Sequence, residues 1–181
     1  MKNGLILLTL IGLITGCCGW KAVGGDFQAD TYRVEVPGGW MKFDSGAYVM
    51  ISHDGPYLQY ILFQERPLDR PFRHARKRLT ADMLPQEAAQ TVIDDLASDP
   101  MVANFAVIEN APAVIDDHDG FKLLFNYRDR EGLILKTAYY GFIQGQSYYS
   151  LRYTAPQRYY FDKDIEVFES MLAKFHLLAA R

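Results

Sequence analysis

The chain has 181 residues, of which 49% are hydrophobic and 14% aromatic, and this length suits one domain with a sizeable core. Its 19 lysines and arginines are outnumbered by 22 aspartates and glutamates, so the formal net charge is -3. Because nucleic-acid-binding domains usually carry a basic surplus, this balance argues against a nucleic-acid partner. The two cysteines are adjacent in the sequence, so we expect a fold that stands without disulfides.

Residues 1–16 are typical of a bacterial signal peptide. Lys2 supplies a positive charge, and Leu5 to Ile14 is an apolar run of about ten residues, too short to span a bilayer. The run ends in Ile14-Thr15-Gly16-Cys17, which resembles the bacterial lipobox. That resemblance implies cleavage after Gly16 and lipid attachment to Cys17. The alternative is an ordinary secreted protein cut nearby, with both cysteines unmodified.

The lipobox resemblance also implies an address in the bacterial cell envelope, because two or three acyl chains hold a protein firmly to a membrane. Cys18, rather than aspartate, follows the lipidated position, which favours the periplasmic face of the outer membrane over the inner membrane. Gly19 to Asp30 is glycine-rich with little periodicity, so residues 17–30 are predicted to form the lipidated cysteine and a flexible tether. Residues 31–177 are predicted to form a single domain.

The domain is predicted to begin with an antiparallel meander. Tyr32 to Val36 alternates as a strand, and Pro37-Gly38-Gly39 is predicted to turn. Strands over Tyr48–Ser52 and Tyr57–Gln64 follow, separated by a turn.

A basic segment, residues 66–78, comes next and contains six of the 19 lysines and arginines. One interpretation is a patch for anionic lipid headgroups, polysaccharide or an acidic partner. The other is a solvated surface with no partner, which is common for charge runs. The candidate interaction residues are Arg70, Arg73, Arg76, Lys77 and Arg78.

A helix over Leu84–Ser98 and two strands, Phe105–Ile115 and Gly120–Tyr127, are predicted next. The turn between these strands carries Asp116, Asp117, His118 and Asp119, residue types that could hold Ca²⁺ or Zn²⁺. The run lacks calcium-loop spacing and a second cluster that would complete a site. Aspartate and glycine are turn residues for backbone reasons, so we predict a hairpin turn without a metal.

The last stretch is predicted to form two long strands and a closing helix. The strands cover Leu133–Ile143 and Gln146–Pro156, and apolar residues on both faces of the first suit a central position. A helix over Phe161–Phe175 carries one apolar stripe, with Asp162 as its expected N-cap.

Recognisable catalytic chemistry is absent from the sequence. There is no nucleophile elbow, zinc-protease histidine pair, P-loop or dinucleotide glycine motif, and the four histidines are scattered. We therefore expect neither an enzyme nor a cofactor. The alternative is an envelope enzyme, or a carrier whose lipid or sugar ligand occupies a cleft lined by tyrosines, namely Tyr139, Tyr140, Tyr148, Tyr149 and Tyr153.

A family resemblance is carried by positions of aromatic residues, proline and glycine. The main ones are Val36-Pro37 with Trp40, Ala111-Pro112, Gly120-Phe121, Tyr148-Tyr149, and Tyr153-Thr154-Ala155-Pro156 followed by Tyr160-Phe161. From Thr31 to Leu177 the chain resembles the PsbP-like superfamily, which includes the Mog-type Ran-binding proteins and many small bacterial lipoproteins.

The resemblance implies an α+β fold in which helices flank a twisted antiparallel sheet, an α/β/α sandwich. Known members mostly act as assembly or regulatory partners of larger complexes. The leading hypothesis is therefore a membrane-anchored envelope lipoprotein that binds an envelope protein as a non-catalytic scaffold or accessory subunit.

Overall fold

In the computed structural model, residues 19–178 are described, and within them the chain forms nine strands and two helices. The elements are β1 Trp20–Gln28, β2 Tyr32–Asp44, β3 Val49–Ser52, β4 Tyr60–Pro67, α1 Pro85–Ala97, β5 Ala103–Ile115, β6 His118–Arg128, β7 Ile134–Gln144, β8 Ser147–Pro156, α2 Tyr160–Ala173 and β9 His176–Leu177. The predicted signal peptide, Cys17 and Cys18 lie outside the described residues.

All strands pair antiparallel in one sheet of order β1-β2-β3-β4-β8-β7-β6-β5, and β9 pairs with β2. Helix α1 packs against β5, β6 and β7, whereas α2 packs against β8 and β2. The predicted α+β fold, an antiparallel sheet flanked by helices, is confirmed. The central position predicted for the strand β7 is also confirmed, since β7 lies between β8 and β6.

Two hydrophobic cores lie on opposite faces of the sheet because side chains alternate along each strand. The α2-face core contains Tyr140 and Phe142 of β7 together with Phe168 of α2. The α1-face core contains Tyr139 of the same strand and Val92 of α1. Strand β7 therefore contributes to both cores.

Local hydrogen bonding and backbone geometry determine the residue at which each helix begins. Pro85 occupies the first turn of α1, and the Glu87 carboxylate accepts a hydrogen bond from the Leu84 N–H at 2.9 Å, which satisfies a free donor at the helix start. Helix α2 begins at Tyr160 after Tyr159, which has a φ of 67°. The expectation that Asp162 caps α2 is wrong, because Asp162 lies inside the first turn of the helix.

The tether predicted up to Asp30 is wrong over Trp20–Gln28, which form the edge strand β1. Its partner β2 runs straight through the predicted turn at Pro37-Gly38-Gly39. The register shifts between Val23 and Gly25, where Gly24 lies against the backbone of Gly38. Glycines on both strands permit this close approach, so the feature that suggested flexibility serves backbone pairing.

The start of strand β4 differs from the sequence prediction, whereas β5 runs through Pro112 to Ile115 as predicted. Strand β4 starts at Tyr60 rather than Tyr57, whose side chain is 94% exposed and makes no ladder contact. Strand β5 continues through Pro112, since the strand lies at the edge of the sheet, where a missing N–H can be tolerated. Between residues 19 and 178, neither helix has the length and apolar character needed to cross a membrane.

Candidate binding surfaces

The basic segment is held across the α1 face by three buried apolar side chains. Leu68 and Phe72 of the segment, and Leu79 directly after it, belong to the α1-face core. The guanidinium of Arg66 lies 4.0 Å from the centre of the Phe72 ring, a cation–π contact. This contact turns the Arg66 side chain towards the protein, and the resulting partial burial lowers its pKa. The Arg66 cation is therefore less available to a partner.

Hydrogen bonds to α1 fix the middle of the segment. The backbone N–H groups of His74 and Ala75 donate to the Asp95 carboxylate at 2.7 and 2.9 Å. The side chain of Lys77 forms an ion pair with Asp94 at 2.5 Å. After Pro67, where β4 ends, the segment is therefore an ordered loop without helix or strand.

The five predicted patch residues fall into two groups. Lys77 is paired with Asp94, which reduces its availability. Arg70, Arg73, Arg76 and Arg78 are exposed, and no carboxylate of residues 19–178 lies within 4.0 Å of their guanidinium groups. Four unpaired cations thus project from one ordered loop, and their use as an interaction surface stays a prediction.

The acidic turn is a hairpin turn, as predicted. Asp116 and Asp117 both have positive φ, 47° and 61°, and connect β5 to β6. The Asp116 carboxylate accepts hydrogen bonds from the His176 ring at 2.8 Å and from the Leu177 N–H at 2.7 Å. Its oxygens thus bind the C-terminal strand β9.

Electrostatics at Asp116 follow from these two bonds. Burial raises the pKa of the carboxyl, but the bonds from His176 and Leu177 outweigh burial and leave the pKa below its ordinary value. In the part of the chain that the structure describes, no three metal-ligating side chains come together.

The tyrosines proposed to line a ligand cleft do not do so. Tyr139 and Tyr148 are buried in the α1-face core, whereas Tyr140 and Tyr153 are buried on the opposite face. The half-buried Tyr149 donates to Glu65 at 3.2 Å. Alternation along two adjacent strands separates these side chains, so the tyrosine-lined cleft is wrong.

Other residues line several open clefts in the described part of the chain, and two of these contain polar groups that bear on binding. The larger, the Glu65 cleft of about 560 Å³, lies between the β1–β2 turn and the loop after β2. In it the Glu65 carboxylate accepts hydrogen bonds from Thr31 at 2.8 Å and Ser147 at 2.7 Å, besides the one from Tyr149. The second, the Arg152 cleft of about 440 Å³, lies beside the end of α1.

Sequence reasoning missed both clefts because each is assembled from segments far apart in the chain. Thr31 and Ser147 reach Glu65 from sequence separations of 34 and 82 residues. A periodic pattern identifies which face of a strand is buried, but it gives no information about which distant side chains meet.

Comparison with known proteins places the fold. No protein-family model and no curated protein matches the chain. Cyanobacterial PsbP from Synechocystis sp. PCC 6803 is similar in structure with a TM-score of 0.58 and 13% identity, over 91% of this chain and 95% of that chain. The Ran-binding protein Mog1p of Saccharomyces cerevisiae gives 0.56 and 10%, over 87% and 96%.

LpqN of Mycobacterium tuberculosis, described as involved in cell envelope biogenesis, gives a TM-score of 0.55 and 14% identity, over 88% of this chain and 91% of that chain. A structure from Bacteroides thetaiotaomicron is also similar, at 0.52 and 11% identity; this chain is covered over 86% but spans about half of that chain, 49%. The PsbP/Mog1-like fold predicted from the aromatic, proline and glycine positions is confirmed. Identities this low show the fold alone.

Proposed function

We propose that this protein is a lipid-anchored binding protein of the bacterial cell envelope, attached through Cys17 and acting as a non-catalytic accessory subunit. The observation that carries the proposal is the lipobox-like Ile14–Cys17, which follows a charged and then an apolar stretch. The similarity to LpqN and to PsbP supports an envelope or accessory role. The periplasmic face of the outer membrane is our favoured location.

Strand β1 limits the distance between the domain and a lipid anchor on Cys17. The lipid-bearing Cys17 would be followed by only two residues before the strand begins at Trp20. Three Cα–Cα steps span roughly 10 Å, so the domain would sit close to the bilayer instead of moving on a stalk. A partner would then be a membrane protein or another molecule held near the membrane surface.

The surface we assign to this partner is the outer side of the basic segment, with Arg70, Arg73, Arg76 and Arg78. Its cations are exposed and unpaired within the described residues, and its backbone is held by α1 and the α1-face core. An ordered loop loses little conformational entropy on binding, and exposed arginines suit carboxylates. An acidic envelope protein is therefore the partner we propose.

The anchor is tested by substituting the two cysteines separately. Cells fed with radiolabelled palmitate should label the native protein and a Cys18→Ala variant, and both should fractionate with membranes. A Cys17→Ala variant should lose the label and leave the membrane fraction. Label retained by Cys17→Ala, or native protein without label, would contradict the proposal.

The partner surface is tested by in-cell crosslinking and mass spectrometry of the captured proteins. A variant with Arg73, Arg76 and Arg78 changed to glutamate should lose a dominant partner that the native protein captures. A control that reverses Arg33, Arg130 and Arg158, three exposed arginines elsewhere, should keep it. Equal capture by both variants would rule out the basic segment.

A further inference from the structure

The Arg152 cleft combines a guanidinium with hydroxyl groups and an apolar wall. It opens at one end of the sheet on the α1 face, where strands β4, β6, β7 and β8 meet the segment after α1. Its volume of about 440 Å³ falls in the range of small-molecule sites, roughly 300–1,000 Å³.

Arg152 is the unusual residue of the cleft. It lies on the central strand β8, where its neighbours across the ladder are Leu62 and Tyr139. Its Nε is buried without a hydrogen-bond partner, and no carboxylate within residues 19–178 lies within 4.0 Å of the guanidinium. The side chain as a whole is half-buried, but a buried guanidinium N–H without an acceptor is costly, so the position favours an acceptor brought from outside.

Hydroxyl groups surround the same space. Thr137 and Thr154 line the cleft, and their hydroxyls are hydrogen-bonded to each other at 2.9 Å. Tyr60 and Tyr127 also line it, and burial followed by the proximity of Tyr60 raises the pKa of Tyr127. The Tyr127 hydroxyl therefore remains protonated and able to donate a hydrogen bond.

The wall and the mouth define the ligand further. Leu96, Met101, Val102 and Phe125 provide apolar surface. Three carboxylates and a second arginine, Arg130, also line the cleft. Asp99 faces His74 at 3.4 Å, Asp129 accepts the Leu133 N–H at 2.8 Å, and Glu131 is next to Arg130 in sequence. This acidic surplus disfavours a multiply charged anion and leaves a singly charged one.

We propose that the Arg152 cleft binds an amphiphilic monocarboxylate, with its carboxylate on the Arg152 guanidinium and its apolar body along Leu96, Val102 and Phe125. A guanidinium matches a carboxylate through two parallel hydrogen bonds. The tyrosine and threonine hydroxyls supply further donors, and the apolar wall contributes affinity through surface removed from water. The inference does not depend on the lipid anchor or on the basic segment.

The proposal is tested by calorimetric titration with octanoate as the probe. The titrated protein is the full chain carrying Cys17→Ala, which cannot be lipidated at that position. Octanoate should bind saturably with one site, whereas octanol, which has the same tail without charge, should bind at least about tenfold more weakly. The Arg Nε–Hε signal of Arg152 in a ¹⁵N spectrum should shift during the octanoate titration.

Variants distinguish binding through the carboxylate from non-specific hydrophobic binding. Arg152→Met should weaken octanoate binding about tenfold or more, since it removes a charge-assisted contact, while Arg33→Gln, at an exposed position on β2 outside the cleft, should change it less than about twofold. Arg152→Met should melt at the native temperature or above, because a buried nitrogen without a hydrogen-bond partner is lost. If it does not fold, Arg152→Lys keeps the charge but loses the planar fork, and it should also weaken binding.

Three results would overturn the inference. The first is equal affinity for octanol and octanoate, and the second is unchanged octanoate binding by a folded Arg152 variant. Tighter binding of octyl phosphate than of octanoate would overturn the assignment of a singly charged carboxylate. None of these readouts is altered by failure of the membrane anchor, because the titrated chain carries none.

Discussion

The hydroxyls of Tyr139 and Tyr148 lie 2.9 Å apart inside the α1-face core and hydrogen-bond to each other. Burial raises the pKa of Tyr148, and the neighbouring Tyr139 raises it further, so Tyr148 stays protonated at neutral pH. The pair is a buried polar contact whose value depends on both members being present.

We expect Tyr148→Phe to lower the free energy of unfolding by about 1–3 kcal/mol, because it leaves the Tyr139 hydroxyl buried without a partner. The double variant, with Tyr139→Phe added, should recover part of this loss. Urea denaturation followed by circular dichroism measures both. Tyr57→Phe, at a position 94% exposed, is the control and should change little. Simple additivity of the two single variants would contradict the coupling.

At the scale of elements, Asp116 joins the β5–β6 turn to β9, and β9 in turn pairs with Tyr32 and Arg33 of β2. Strands β5 and β6 stand far from β2 in the order of the sheet, so the contact through Asp116 connects distant parts of the sheet. The carboxylate is the acceptor in both bonds and must be ionised to accept them fully.

Replacing Asp116 by Asn should lower the free energy of unfolding by about 1–2 kcal/mol at pH 7, because the charge-assisted contacts are lost. The folded-state pKa of Asp116 lies below the ordinary value of roughly 3.9. Its contribution is therefore complete above about pH 4 and is lost as the pH falls through the folded-state pKa.

Urea denaturation of both proteins between pH 7 and pH 2 measures this dependence. The difference between native protein and Asp116→Asn should shrink towards zero at the acidic end. Asp117→Asn, exposed in the same turn, should stay parallel to the native protein over the whole range. A difference that is independent of pH would show that the ionised carboxylate is not the stabilising species.

Elements with a strong internal period could be predicted from sequence, whereas those that depend on distant partners could not. Helices α1 and α2 and strands β7 and β8 are recognisable because their apolar spacing repeats over ten or more residues. Strand β1 carries few apolar residues and forms through backbone pairing at the sheet edge. Strand β9 has two residues, too few for any period.

The same limit applies to the candidate sites. The basic segment is visible in sequence because its charges are contiguous, but the pairing of Lys77 with Asp94 and the inward turn of Arg66 depend on packing. Arg152 stands in an ordinary alternating strand. Its exceptional feature, a buried Nε without a partner, exists only after the neighbouring strands and α1 are assembled.

For the whole molecule, the two cores share one sheet, so we expect them to unfold together. Trp40 is buried in the α2-face core and, in a Trp20→Phe background, provides fluorescence from that side alone. Val92→Ala, which removes two methyl groups from the α1-face core, should lower the free energy of unfolding by about 2 kcal/mol. The Trp40 transition in urea should shift as much as the circular dichroism transition, whereas separated transitions would mean independent unfolding.

The free edge formed by β5 affects how copies of the protein would pair if they were confined to one membrane surface. Val107, Ile108 and Val114 are exposed along it, and such an edge would normally recruit a strand from another copy. Here the ladder is irregular at Ala103/Ala106 and Val107/Glu109, and Pro112 removes one donor. Confinement to a membrane, as proposed above, would raise the local concentration of the protein far above that in solution. The interrupted edge then keeps crowded neighbours from joining into a continuous, growing sheet.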